Sequence, residues 1–226
     1  MIILSHQGIG DHIICNGLVR FLCEKHGKIT IPVLKAHQLI EYMYSDNDDI
    51  SIINMGDEEK YIRHLRKLDP NEYLITGYEN FTESFKVGQM HFDEGFYHFA
   101  GVDFKHRFDK FYIKRNLEEE DRIYKTLVNP GEKYIFLHDE KSLGHIIDRD
   151  KVRKDLKIIE NDKDINLFNY RKLFENATEI HVMQSGIFDF INSIPLPKPS
   201  IHVHMYVRGY SDWYWTSGIN KRIQVK

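Results

Sequence analysis

Residues 1–27 read MIILSHQGIGDHIICNGLVRFLCEKHG. MIILSH (1–6) reads as a strand buried on both faces, its four apolar residues running into two polar ones. Gly8 and Gly10 follow it. From Asp11 the pattern changes, with Ile14, Leu18, Phe21 and Leu22 recurring at helical spacing and Gly27 closing the helix. A strand that runs through a glycine turn into an amphipathic helix is the opening of a βαβ unit.

The same alternation continues. Strands are expected over 28–34, 50–55 and 72–78, with helices around HQLIEYMY (37–44) and EEKYIRHLRKL (58–68), the latter placing Ile62, Leu65 and Leu68 on one side. Short connections between such elements favour parallel, right-handed crossovers. Residues 84–116 are aromatic-rich without a clean period. The charged helix NLEEEDRIYKTLVNPG (116–131) ends at Pro130-Gly131, the strongest boundary in the chain. Beyond it the alternation restarts: strands over 133–139, 156–161, 179–184 and 200–207, a polar loop over 140–150, and helices in NLFNYRKLFENA and SGIFDFINSI. The tail from Asp212 has no readable period. The expected fold is α/β, with an N-terminal domain over 1–115, a linker helix and boundary over 116–131, and a C-terminal domain over 132–226.

Composition bounds the function. The 226 residues are 42% hydrophobic and 29% charged, enough apolar material for a core and unlike a disordered chain. Basic and acidic residues number 31 and 34, a net charge of −3, which argues against a general nucleic-acid binder. Cys15 and Cys23 lie too far apart along one helix to bridge and read as reduced thiols. Met1–Leu4 lack the basic flank and length of a signal segment, and no apolar run is long enough to span a bilayer. The expectation is a cytoplasmic protein.

Three loops carry candidate chemistry. In the first, His6, Gln7, Gly8, Gly10, Asp11 and His12 gather polar groups and bare backbone at the carboxyl end of the first strand, where open α/β sheets bind ligands. Asp11 is either a helix cap or a base that takes a proton from a hydroxyl nucleophile, with His12 orienting it or stabilising an anion. The second loop, Gln184-Ser185-Gly186, precedes a helix. It reads equally as a serine cap or as an anion site built from backbone N–H groups. The third loop (138–150) offers His138, Asp139, Lys141, Ser142, His145, Asp148 and Arg149, either as a solvated charged segment or with Lys141 or Arg149 neutralising a diphosphate.

Other chemistries are disfavoured. Ile13 stands where a dinucleotide-binding fingerprint needs its third glycine, and the second strand ends VLKAH, without an acidic residue. The 13 histidines include His181, His202 and His204 on adjacent strands, but no Cys or HExxH spacing accompanies them, so no metal site is assigned. Neither a Gly-x-Ser-x-Gly elbow nor a Walker lysine is present.

GIGDHIICNGLVRFL resembles the start of heptosyltransferase-like proteins, whose first loop carries Gly-Asp before a helix with a small residue. EIHVMQSGIFDFINSI resembles the late strand–loop–helix of the same two-domain glycosyltransferases. FDEGFYHFAGVDFKHRFDKFYIKRN looks like the linker of related bacterial and viral polysaccharide-gene proteins. The resemblance implies a GT-B arrangement: two Rossmann-like domains facing across a cleft, a glycan or lipid-linked glycan acceptor on the first, a nucleotide-sugar donor mainly on the second, and no cofactor or essential metal. It matches Asp11 to the general base, and Ser185 and Gly186 to the turn that binds the donor diphosphate. Two departures stand out. Gln184 replaces an aspartate, and LHDEKS (137–142) replaces an arginine-bearing loop. These departures, with a chain shorter than typical members, keep open a second reading, an inactive sugar- or nucleotide-binding module of the same fold. Peripheral membrane contact and oligomeric state are left open.

Overall fold

The computed structural model describes residues 1–5, 8–33, 38–56, 60, 63, 67, 69, 72–76, 90–207 and 223–225. The chain divides into two compact units, one ending at Lys114 and the other beginning at Arg115.

The first unit is built on a four-stranded parallel sheet of β1 (Ile2–Ser5), β2 (Ile29–Val33), β3 (Ile50–Asn54) and β4 (Tyr73–Thr76), in the order β3-β2-β1-β4. Ile3 pairs with Leu74 and Ile31 with Ile52, so the apolar runs of the sequence lie side by side. Ile3, Leu4, Ile29, Ile31 and Val33 are buried, as parallel strands covered on both faces must be.

The helix expected from Asp11 to Gly27 begins earlier and is broken. α1 spans Ile9–Ile14 and α2 spans Asn16–His26, with Cys15 between them. The cause lies far along the chain. The Tyr97 hydroxyl donates to the Ile14 carbonyl at 2.9 Å and accepts from the Leu18 N–H at 3.1 Å. An uninterrupted helix would pair those two groups with each other, and a side chain inserted into that ladder is an ordinary cause of a kink. Burial holds the Tyr97 phenol well above its usual range, so it stays protonated and able to donate.

α3 (Gln38–Tyr44) follows β2. The helix expected over 58–68 lies mostly outside the described residues. In the aperiodic aromatic region, α4 (Phe92–Phe99) and α5 (His106–Asp109) supply what α2 packs against. A Cβ at Gly17 would stand 2.0 Å from the His106 carbonyl oxygen, so only glycine permits this approach of α2 to α5. Asp93 and Arg107 form a fully buried ion pair, with the guanidinium against the Phe108 ring.

The second unit carries α6 (Leu117–Leu127) and a five-stranded parallel sheet ordered β6-β5-β7-β8-β9. Its strands are β5 (Tyr134–His138), β6 (Lys157–Glu160), β7 (Glu179–Met183), β8 (Ser200–His204) and β9 (Ile223–Val225). β9 falls in the tail that shows no period in the sequence. One face of the sheet meets α7 (Arg171–Asn176) and α8 (Gly186–Ser193), with Phe136 against Tyr170 and Phe174, and Phe174 against Phe190. The other face, carrying Ile135, Leu137 and Met183, is closed by Ile147 and Val152. Ile147, within the polar loop expected over 140–150, therefore contributes to a core. Cys15 and Cys23 are buried free thiols.

Candidate functional site

Both sheets have the same reversal in strand order. β1 is flanked by β2 on one side and β4 on the other, and β5 by β6 and β7. The crevice beyond the carboxyl end of such a first strand is where open α/β sheets take ligands. The residues that follow β1, β5 and β7 are those singled out from the sequence.

After β1, His6 and Gln7 lie outside the described residues. Gly8 occupies the N-cap position of α1, with φ −76° and ψ 145°, and Asp11 lies in the first turn at the third helical position. Asp11 is thus not the cap residue itself. Its carboxylate turns back toward Gly8, where a Cβ would stand 2.8 Å from Oδ2. Glycine at position 8 leaves room for that oxygen, and the helix dipole favours a negative charge there. Asp11 is partly exposed, whereas His12 is only 1% exposed and turned into the core. The structure brings Gly8, Gly10 and Asp11 into one turn and leaves His12 out of its exposed side. The Cys15 thiol lies below. Burial first, and then the Asp11 carboxylate, push it well above its usual range, against the hydrogen bond of Thr76 and the charge of Arg107. It is therefore an inert thiol.

In the second unit, Ser185 is the N-cap of α8. Its Oγ accepts from the Phe188 N–H at 3.5 Å and donates to the Met183 carbonyl at 3.2 Å. Gln184 is buried beside it. Ser185 and Gly186 thus stand at the end of β7, next to the reversal point.

His138, Lys141 and Arg149 lie at the ends of β5 and β6; Lys141 and Arg149 share Glu160, which motif reading missed, and Arg149 also holds Asp139 of the same loop. Arg149 grips Asp139 with two bonds of 3.0 and 2.7 Å and reaches Glu160 at 2.8 Å. Lys141 holds the other Glu160 oxygen at 2.8 Å, and His138 Nδ1 lies 2.7 Å from Asn161 Oδ1. Burial opposes ionisation of Asp139, yet the bonds from Arg149 and the Ile147 N–H hold its carboxyl below the usual range. Glu160 is lowered by Lys141 first, with Arg149 adding to the effect. The signal for this network lay in the acidic residues interleaved with the basic ones at 139 and 160.

No protein-family model matches the chain, and no curated protein matches its sequence. Solved structures do. The glycosyl transferase family 9 structure from Veillonella parvula DSM 2008 superposes with a TM-score of 0.61 at 11% identity, covering 100% of this chain and 86% of that one. Escherichia coli ADP-heptose LPS heptosyltransferase II gives 0.50 at 10% identity, covering 100% and 89%. The chain has the α/β fold of the GT-B-like glycosyltransferases, with two parallel sheets. Among the described residues, no helix is long and apolar enough to cross a membrane.

Proposed function

We propose that this protein is an inverting glycosyltransferase that moves a sugar from a nucleotide-diphosphate donor to a hydroxyl of a glycan or lipid-linked glycan in the cytoplasm. The observation that carries the reading is the Asp11 carboxylate, held in the first turn beyond the central strand β1 over a residue with no side chain. A carboxylate so placed takes the proton of an acceptor hydroxyl as its oxygen attacks the anomeric carbon and the nucleoside diphosphate departs. The buried His12 acts by fixing α1 rather than by meeting the acceptor. In the second unit the first turn of α8, at Ser185 and Gly186, offers N–H groups and the positive end of an eight-residue helix to the leaving diphosphate. Catalysis rests on positioning the two substrates and stabilising the leaving group, with no step assigned to a metal.

One observation favours the second reading, a binding module without turnover. Lys141 and Arg149 are already matched by Asp139 and Glu160, so no cation of that loop is held in reserve for a diphosphate. A panel of nucleoside diphosphates and their sugars separates the two readings. A ligand at ~100 times its dissociation constant stabilises by ~2.7 kcal/mol, which a thermal shift detects. Release of nucleoside diphosphate from the stabilising donor supports the transferase. A shift without release in the presence of varied acceptors supports the module, and no shift with any member of the panel refutes both.

A further inference from the structure

On the face of the second sheet opposite α7 and α8, β7 and β8 pair in parallel with His181 opposite His202 and Met183 opposite His204. Because side chains alternate along a strand, Glu179, His181, His202 and His204 share that face. His181 and His202 stack with ring centroids 4.4 Å apart and planes at 23°. Their edges point at one carboxylate oxygen: Glu179 Oε2 is 3.3 Å from His181 Nε2 and 3.9 Å from His202 Nε2. One ligand atom from each of Glu179, His181 and His202 falls within 4.8 Å of the others.

We infer that Glu179, His181 and His202 form a binding site for a divalent transition metal, zinc above all, that ties β7 to β8. Bonds of ~2.0–2.1 Å in a tetrahedral site put ligand atoms about 3.4 Å apart, so the 3.3 Å pair already has that spacing, the 3.9 Å pair closes by about half an ångström, and the stacked rings splay so that both lone pairs meet the ion. Two imidazoles and one carboxylate suit zinc, whereas magnesium and calcium favour oxygen ligands.

The surroundings fit as well. His181 Nδ1 lies 3.0 Å from His204 Nε2, and a bond there fixes the tautomer that turns the Nε2 lone pair toward the metal. Arg153 holds the other Glu179 oxygen at 3.1 Å and so orients the carboxylate. His181 is 1% exposed and His204 is fully buried. Glu179 begins β7, at the amino end of the sheet, while Ser185 follows its carboxyl end. The metal is therefore structural and does not touch the groups proposed for transfer, so this inference stands or falls apart from the proposed function.

The alternative is a hydrogen-bond chain running Glu179–His181–His204 with no ion. The test uses the full chain, stripped with a chelator and titrated with Zn²⁺ and Co²⁺. The expected result is one tightly bound equivalent, visible bands of four-coordinate Co²⁺, and a melting temperature raised by Zn²⁺. Glu179→Gln and His202→Gln should each weaken binding by more than ~10²-fold, and the positioning variant His204→Gln by ~10–100-fold. The exposed His26→Gln should bind as wild type does. Glu179→Gln keeps size and shape at a strand end, so it carries the test if the histidine variant does not fold. The proposal is overturned if the folded wild type takes up no equivalent of either ion, or if Glu179→Gln binds with unchanged affinity.

Discussion

The room that Gly8 leaves for Asp11 allows stability and turnover to be moved in opposite directions. In Gly8→Ser the backbone needs no adjustment, since φ −76° and ψ 145° suit any residue. Serine at an N-cap accepts from the helix's own N–H groups and improves on glycine by a few tenths of a kcal/mol. At ~2–4 °C per kcal/mol for a chain of this size, the melting temperature rises by about 1 °C or stays level. The new Cβ, however, would stand 2.8 Å from Asp11 Oδ2 and must drive that oxygen back by about 0.6 Å to reach ordinary contact. Misplacing a reacting group by ~1 Å costs about 10²-fold, so turnover should fall by ~10–100-fold. Asp11→Asn completes the pair. It keeps the shape, loses a favourable charge–dipole interaction of ~0.3–1 kcal/mol, and removes the proton acceptor, for a loss of ~10²–10⁴-fold in kcat. The assay is nucleoside diphosphate release with the stabilising donor, run beside a thermal melt. Undiminished turnover in Gly8→Ser refutes the reasoning, because the displaced carboxylate would then have no part in the reaction.

Two further outcomes follow. Tyr97→Phe deletes the hydroxyl between Ile14 and Leu18 and should cost ~1–3 kcal/mol, with amide exchange at Leu18 accelerated; unchanged exchange there would mean that α1 and α2 fuse without it. Asp139→Asn should lower stability by ~1.5–3 kcal/mol at neutral pH. Because the folded Asp139 carboxyl lies below its unfolded value, its contribution is present above the unfolded pKa, ~3.9, and is lost as pH falls through the lowered folded value. Wild type and variant should therefore converge in acid melts, and a gap that persists at the acid end would assign the loss to packing.

The strands other than β9 were legible because each is a compact apolar run. Tyr134–His138 and Glu179–Met183 fall inside the expected spans, and their parallel pairing follows from the alternation with helices. The break at Cys15 was not legible. No proline marks it, and its cause is a phenol more than eighty residues away. Nor was the role of 139–156, since the pair Ile146-Ile147 and the lone Val152 stand among polar residues and only the sheet beneath shows which of them it covers. The loops after β1, β5 and β7 were identified from local chemistry. The burial of His12 and the acidic clasp on Arg149 were not, because both depend on neighbours that the local sequence does not name. The Glu179–His181–His202 group was half visible as alternating histidines, and it needed the register of β8 on β7 to become a cluster.

The hydroxyl wedge between α1 and α2 also orders events in time. Its bonds span 83 and 79 residues, so the segment bearing Asp11 leaves the ribosome long before Tyr97 exists. At ~5–20 residues per second, that wait is roughly 4–17 s. Until then residues 9–26 have nothing to divide them and are free to form one continuous helix, with Ile14 and Leu18 bonded to each other. Docking of α4 must then open that bond. The Ser185 turn, by contrast, closes on Phe188 three residues away and is complete as soon as α8 winds. The two turns thus mature on different clocks: the one bearing Asp11 waits some eighty residues for its partner, and the one bearing Ser185 waits three.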